Sequence, residues 1–287
     1  MPFKEHSRFQ SPDSKDSNIW RYMNLAKYLS LLEKRCLYFT RLDQLYEMDP
    51  FEGHYSHINM ELHNSRYQDL PDDLKKRHHL KNETVFNKVV ESQKYIFNYV
   101  NNAKKATFVN SWHMKEHESV AMWKIYSCNN EGISIQSTYQ RLKESLSSCD
   151  EFQIYIGLIT YKDYITEEIP MGNLYYPFMH KRKYYEYENE LRALICTKDN
   201  FEDNTPGKYD NFLGLHIPID IERLIENVYV ASNAPKWMLD VIKKVTIKYG
   251  INIEVKQSDL SSSPVTHSPI GFQPNGLRHT SPGQRPG

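Results

Sequence analysis

Nowhere in this 287-residue chain do apolar residues run on for the ~18 positions that a membrane span needs, and the opening stretch MPFKEHSRFQSPDSKDSN lacks the apolar core of a secretory leader. Neither sign of charge is in excess: 36 Lys and Arg balance 36 Asp and Glu, so no global field draws the chain to nucleic acid or to an anionic membrane. Cysteine is scarce. Cys36, Cys128, Cys149 and Cys196 are too scattered for a Cys-x-x-Cys metal knuckle and read as reduced, structural thiols. Gly-x-Gly-x-x-Gly, the Gly-Lys-Ser/Thr phosphate loop and the Gly-x-Ser-x-Gly elbow are also missing, which sets aside Rossmann dehydrogenases, P-loop ATPases and α/β-hydrolases. Together these absences describe a cytoplasmic protein with no membrane partner and no expected metal, whose binding is local.

A chain of this length buries a substantial core, and no long Gly/Ser break divides it. One α+β domain is therefore expected over 19–260, a mixed sheet flanked by helices. Residues 1–18, rich in Ser, Asp and Lys, read as a flexible arm, and the Pro-, Gly- and Ser-rich 261–287 as a disordered tail. In NLAKYLSLLEKR, Leu25, Leu29 and Leu32 share one helical face, and the apolar CLYFT behind it reads as a strand. Two helical stretches divided near LPDDLKK fill 60–104, with Phe86, Val89, Val90 and Ile96 on the buried side of the second. ATFVNSW, GISIQS, FQIYIGLITY and ENELRALIC read as strands, and ESVAMWKIYS and TYQRLKESLSS as helices, the latter capped by Thr138. NVYVAS, PKWMLDVIKKVTIKYG and INIEVKQ form a strand-helix-strand unit, with Pro235 at the helix start and Gly250 past its end. Tyrosine, at 21, is the residue in excess, and its apolar ring with a polar tip suits pocket walls.

His113, Glu116 and His117 stand in the His-x-x-Glu-His order of inverted zinc peptidases. That chemistry needs both imidazoles one turn apart on a rigid helix with a third ligand. Here the preceding residues are strand-like and the apolar period begins only at Val120, so the histidines are expected on a loop and a zinc-dependent hydrolase is a minor alternative. MDPFEGH reads as a structured loop that Asp49-Pro50 begins and Gly53 ends; its functional reading puts Asp49 and Glu52 at a pocket mouth as ion-pair partners of Arg21. Met122, Trp123 and Tyr126 read as core packing, and HKRKYY as a solvated face, although it interleaves cations with tyrosines as nucleic-acid surfaces do. In a strand, Glu188, Glu190 and Arg192 share one face while Leu191 and Ala193 take the other. Taken alone, that face is an accessible, ion-paired surface where Gln in place of Glu190 is expected to leave folding unchanged.

In order and spacing, IWRYMN, YEMDPFEG, FVNSWHMKEHESVAMWKIYSCNNEGISI and KRKYYEYENELRAL resemble the bacterial family catalogued as domain of unknown function 2971. The matching positions are Arg21 and Tyr22, then Asp49, Pro50 and Glu52, then Ser111, Met122, Trp123, Tyr126 and Gly132, then Lys183, Glu188, Glu190 and Arg192, across about residues 20–260. Trp112 and His113 depart from the pattern, which has a second small hydroxyl residue after Ser111. A second resemblance is one of residue order alone. An arginine on an early strand, a serine or threonine on a middle strand and Glu-x-Glu on a late strand is similar to the ADP-ribosyltransferases, which hold and split NAD. That resemblance implies that Arg21 grips a phosphate, Trp20 and Tyr22 line the pocket, Thr40 or Ser111 supports the ribose, Glu190 faces the reacting carbon and Glu188 orients the acceptor. Asp49, Glu52, Trp123, Tyr126 and Arg192 would complete the pocket. The residue types suit the task, because a guanidinium fork matches a diphosphate and a carboxylate steadies a ribosyl cation. The implied protein is an NAD-consuming effector, with a toxin or antiphage-defence setting and a nucleic-acid or protein acceptor left open. The alternative is a non-catalytic module that binds a nucleotide, a nucleic acid or a partner protein through the same cleft.

Overall fold

The computed structural model describes residues 4, 6–126, 131–198, 201 and 207–260. Its strands are β1 (Asn18–Asn24), β2 (Cys36–Arg41), β3 (Thr107–Met114), β4 (Gly132–Thr138), β5 (Ile154–Leu158), β6 (Thr160–Lys162), β7 (His180–Arg182), β8 (Glu190–Cys196), β9 (Gly214–Pro218), β10 (Asn227–Val230) and β11 (Glu254–Gln257). Its helices are α1 (Leu25–Lys34), α2 (His57–Met60), α3 (Asp72–Arg77), α4 (Glu83–Lys104), α5 (Val120–Tyr126), α6 (Tyr139–Ser145), α7 (Ile221–Leu224) and α8 (Lys236–Lys248). Local chemistry sets several boundaries. The Asn24 side chain accepts from Lys27 N to start α1, the Thr138 hydroxyl accepts from Arg141 N to start α6, and α8 begins after Pro235. LPDDLKK, expected as a break, itself forms α3. The break falls at 78–82, where His79 is left-handed (φ 52°) and Asn82 caps α4. The sequence reading has no counterpart of β9, whose buried Leu215 and Ile217 flank an exposed His216 in a strand too short for a clear alternation.

Nine strands make one mixed sheet: β11-β10-β4-β1-β3-β2-β9 in order, with β8 also on β3 and β5 on β8. Helices flank it, and β6 and β7 pair parallel as a separate ribbon. β3 is the branch point. β8 pairs with it from Thr107 to His113 and so takes one edge. The other edge is left for both β2, paired at Phe108–Val109, and β1, paired at His113–Met114. Between those two contacts the sheet forks.

Alternation along β3 and β8 divides the core between the two faces. Phe108, Trp112, Leu191, Ala193 and Ile195 join the larger cluster with Tyr28 and Leu32 of α1 and Ile242 of α8. Val109 and Leu194 join a second cluster with Phe97, Val100 and Ala103 of α4. Of the expected arm, residues 1–3 and 5 lie outside the described residues; Lys4 N donates to Ile154 O and Leu158 N to Gln10 O at the free edge of β5, the Lys15 and Ser17 carbonyls accept from Gln140 N and Tyr139 N at the start of α6, and Asn18 begins β1. The expected tail 261–287 and Cys128 also lie outside the described residues, and Cys36, Cys149 and Cys196 form no disulfide. Among the described residues no helix is long and apolar enough to cross a membrane.

Phe39, with no exposed surface, anchors β2 in the larger cluster, so Phe39→Ala removes both buried area and packing. The expected loss is about 3–5 kcal/mol, a fall in melting temperature of roughly 10 °C by circular dichroism. A fall below ~3 °C would mean that this side of the sheet is not the main core.

Candidate active site

The fork leaves Ser111 exposed between buried neighbours on β3. Its carbonyl, unpaired on the β1/β2 edge, accepts from Arg21 Nη1 at 2.7 Å. A cavity of about 470 Å³ opens there, a size suited to a small organic ligand. Of the residues read from the sequence, Trp20, Arg21, Tyr22, Thr40, Ser111, Tyr126, Glu188 and Glu190 line it. Arg21 is half-buried beside the Trp112 ring, 5.8 Å from its centroid, and burial pushes its pKa down to about 10, against Tyr126 and Glu190, so it stays a cation at neutral pH. Among the described residues no carboxylate lies within ion-pair distance of it.

Behind Ser111 lies a buried charge network. Ser111 Oγ donates to Glu190 Oε1 at 2.5 Å, and Arg192 Nε donates to the same oxygen at 2.6 Å. Arg192 Nη1 reaches Glu52 Oε1 at 2.7 Å and the Phe178 carbonyl at 2.6 Å. Lys181 Nζ lies 2.6 Å from Glu188 Oε2, 3.0 Å from Glu190 Oε2 and 3.5 Å from Glu52 Oε2. Two cations are thus shared among three carboxylates, which leaves an excess of carboxylate at the Ser111 hydroxyl, while Arg21 puts positive charge at the Ser111 carbonyl. The environments push the two cavity carboxyls apart. Burial would raise Glu190, but Arg192 and Lys181 overcome it and hold Glu190 far below the usual carboxylate range. For Glu188 burial wins over Lys181, helped by repulsion from Glu190, and its pKa is raised.

Several expectations are corrected. Glu188 is not on the strand with Glu190 and Arg192: it ends a 3₁₀ turn over Lys183–Glu188, and left-handed Asn189 (φ 39°) separates it from β8. The two glutamates meet through Lys181. Nor is that face accessible, since Glu190 is 3 % and Arg192 0 % exposed. Asp49 and Glu52 do not pair with Arg21. Asp49 Oδ1 accepts from Arg182 at 2.6 Å and from Phe51 N, and Glu52 belongs to Arg192, because the loop turns its acids towards β7 and β8. Trp123 lies behind the wall, edge-on to Tyr22 at 5.1 Å with its Nε1 donating to Glu118. HKRKYY is not a solvated face throughout: His180 and Lys181 are buried where β7 pairs with β6.

His113 is on β3 rather than on a loop, whereas His117 is exposed after the strand ends, so the pair does not share a helix. His113 Nδ1 lies 2.5 Å from the Glu188 carbonyl, which can only accept, so that nitrogen carries the proton. Among the described residues no group of three or more His, Cys, Asp and Glu is arranged to hold a metal ion. Lys181 is the site residue that sequence reasoning missed, and His113, read there only as a possible metal ligand, lines the cavity. The signal for Lys181 was a basic cluster just ahead of Glu-x-Glu in a chain of zero net charge. Comparison with protein-family models, with curated proteins and with solved structures finds no match.

Glu190→Gln leaves Arg192 and Lys181 short of a buried counter-charge, at an expected cost of about 3–5 kcal/mol, or roughly 10 °C in melting temperature. Glu188→Gln, at a rim position with Lys181 as its side-chain partner, should cost about 1 kcal/mol or less. The depressed acidity of Glu190 sets the pH dependence. Its stabilisation is complete above the ordinary Glu pKa of ~4.3 and is lost as pH falls towards the lower folded value. The melting gap between wild type and Glu190→Gln should therefore be widest at neutral pH and narrow progressively below about pH 4. Equal melting temperatures at pH 7 would restore the accessible-face reading.

Proposed function

We propose that the cavity binds NAD and transfers its ADP-ribose to an acceptor. The observation that carries this reading is the hydrogen-bonded series Arg21, Ser111 and Glu190 along one cavity wall, with Glu188 beside it. Arg21, a cation without a carboxylate partner among the described residues, suits the diphosphate. The Ser111 hydroxyl, Thr40 and the rings of Tyr22 and Tyr126 suit ribose and nicotinamide. In the reaction the bond from ribose C1′ to the pyridinium nitrogen breaks, and neutral nicotinamide leaves with the electron pair. The positive charge that develops on the sugar faces ionised Glu190. An acceptor O–H or N–H then bonds C1′ and gives its proton to Glu188. The divergent acidity of the two carboxyls supports this division, with one held ionised and the other closer to neutral pH.

The test is nicotinamide release from saturating NAD, with and without added protein and RNA acceptors. Wild type should release it. Glu188→Gln should keep its fold and lose about a hundredfold in turnover, the size expected for losing a general base. Arg21→Ala should raise KM at least about tenfold, as loss of a charge-assisted hydrogen bond does. Calorimetric NAD binding without turnover would instead support the non-catalytic module, and neither binding nor turnover would overturn the reading.

A further inference from the structure

Glu188 ends a 3₁₀ turn outside the sheet, so no strand pairing fixes its carboxylate. Glu190 is held by Ser111, Arg192 and Lys181 and its backbone N–H donates to the Tyr161 hydroxyl, whereas the Glu188 carboxylate accepts from Lys181 Nζ at 2.6 Å. Lys181 comes from β7, a three-residue strand packed on β6, and its side chain is only 10 % exposed. A lysine in that position with three carboxylates around it is not a surface ion pair. Its ammonium has three hydrogens, and Glu188, Glu190 and Glu52 lie within 3.5 Å.

We infer that Lys181 is a positioning residue that fixes the Glu188 carboxylate at the cavity wall and sets the pH at which Glu188 takes a proton. The inference deepens the transferase reading, in which Glu188 receives the acceptor's proton. Geometry gives the direction. Of the charged groups facing Glu188, Lys181 favours the carboxylate and Arg192 does so from farther away, while Glu190 and burial oppose it. Without Lys181 that opposition, already the larger influence, goes unrelieved, and Glu188 stays protonated to still higher pH, where it cannot act as a base. The Lys181 ammonium is itself secured: burial alone would lower it, and Glu190, Glu52 and Glu188 together raise it well above its ordinary value.

The experiment is a carboxyl ¹³C NMR titration of Glu188 in wild type and in Lys181→Gln, run without NAD so that it stands apart from the catalytic reading. The Glu188 midpoint should rise by about one to three pH units in Lys181→Gln, the usual effect of an opposite charge at this range. Lys181→Arg should restore most of the shift. If the reaction proceeds as proposed, the acidic limb of the kcat/KM profile should move up with the midpoint. A merely structural lysine would lower the melting temperature and leave both midpoint and limb in place, and that result overturns the inference. Should Lys181→Gln fail to fold, wild type alone decides: the Lys181 Nζ ¹⁵N resonance must shift with the same midpoint as the Glu188 carboxyl, and an Nζ signal indifferent to that titration is equally fatal. Nicotinamide release absent despite the expected titration would reject the transferase reading and leave the role of Lys181 intact.

Discussion

Arg192 lies on β8 with no exposed surface, its Nε on Glu190 and its Nη1 on Glu52 and the Phe178 carbonyl. A guanidinium in such surroundings persists only when it is paired and hydrogen-bonded, because its lost hydration costs several kcal/mol. The pairing therefore binds distant parts of the chain. Glu52 comes from the loop after β2 and Phe178 from the segment before β7, so Arg192 ties both to the sheet. Gly53, next to Glu52, takes φ 68°, and a Cβ there would lie 2.9 Å from Lys104 Cδ. The loop can bring Glu52 to Arg192 only along that close path. Glu190, oriented by Arg192, offers one oxygen to Ser111 and the other to Lys181. The acidic wall of the cavity follows from this one buried cation.

The fork at β3 supplies the other half of the site. Two strands on the same edge of a third must diverge, and the residues between them keep unpaired backbone groups. Arg21 meets one of these, the Ser111 carbonyl, and Asn110 Nδ2 reaches across to the Tyr38 carbonyl. The gap is thus lined with polar groups although it lies in the middle of a sheet. The cavity wall carries a cation at the Ser111 carbonyl and an excess of carboxylate at the Ser111 hydroxyl, a polarity suited to a ligand that carries phosphate at one end and develops positive charge at the other.

Much of the fold was legible because it rests on local signals. The α1 stripe, the Asn24 and Thr138 caps, the Pro235 start of α8 and the alternation in β3 and β8 all act within a few residues. β9 was not legible, since a five-residue edge strand shows too little alternation, and α3 was hidden by a proline that begins a helix as readily as it interrupts one. At the site, Arg21, Ser111, Glu188 and Glu190 were found by residue type and order and do share a cavity. Their partners were not found. Asp49 and Glu52 were matched with the wrong arginine, and Lys181 was read as solvated because a run of cations in sequence says nothing about which of them is covered.

By itself the sequence determined most of the helical and strand segments and which side chains could grip a phosphate or steady a positive sugar carbon, since periodicity and functional-group chemistry are properties of residues and their near neighbours. Only the tertiary structure decided that Glu190 is buried and ionised while Glu188 holds its proton more tightly, and that Arg192 rather than Arg21 receives Glu52. Desolvation and Coulomb attraction depend on distances through space, and those distances join residues as far apart along the chain as Glu52 and Arg192.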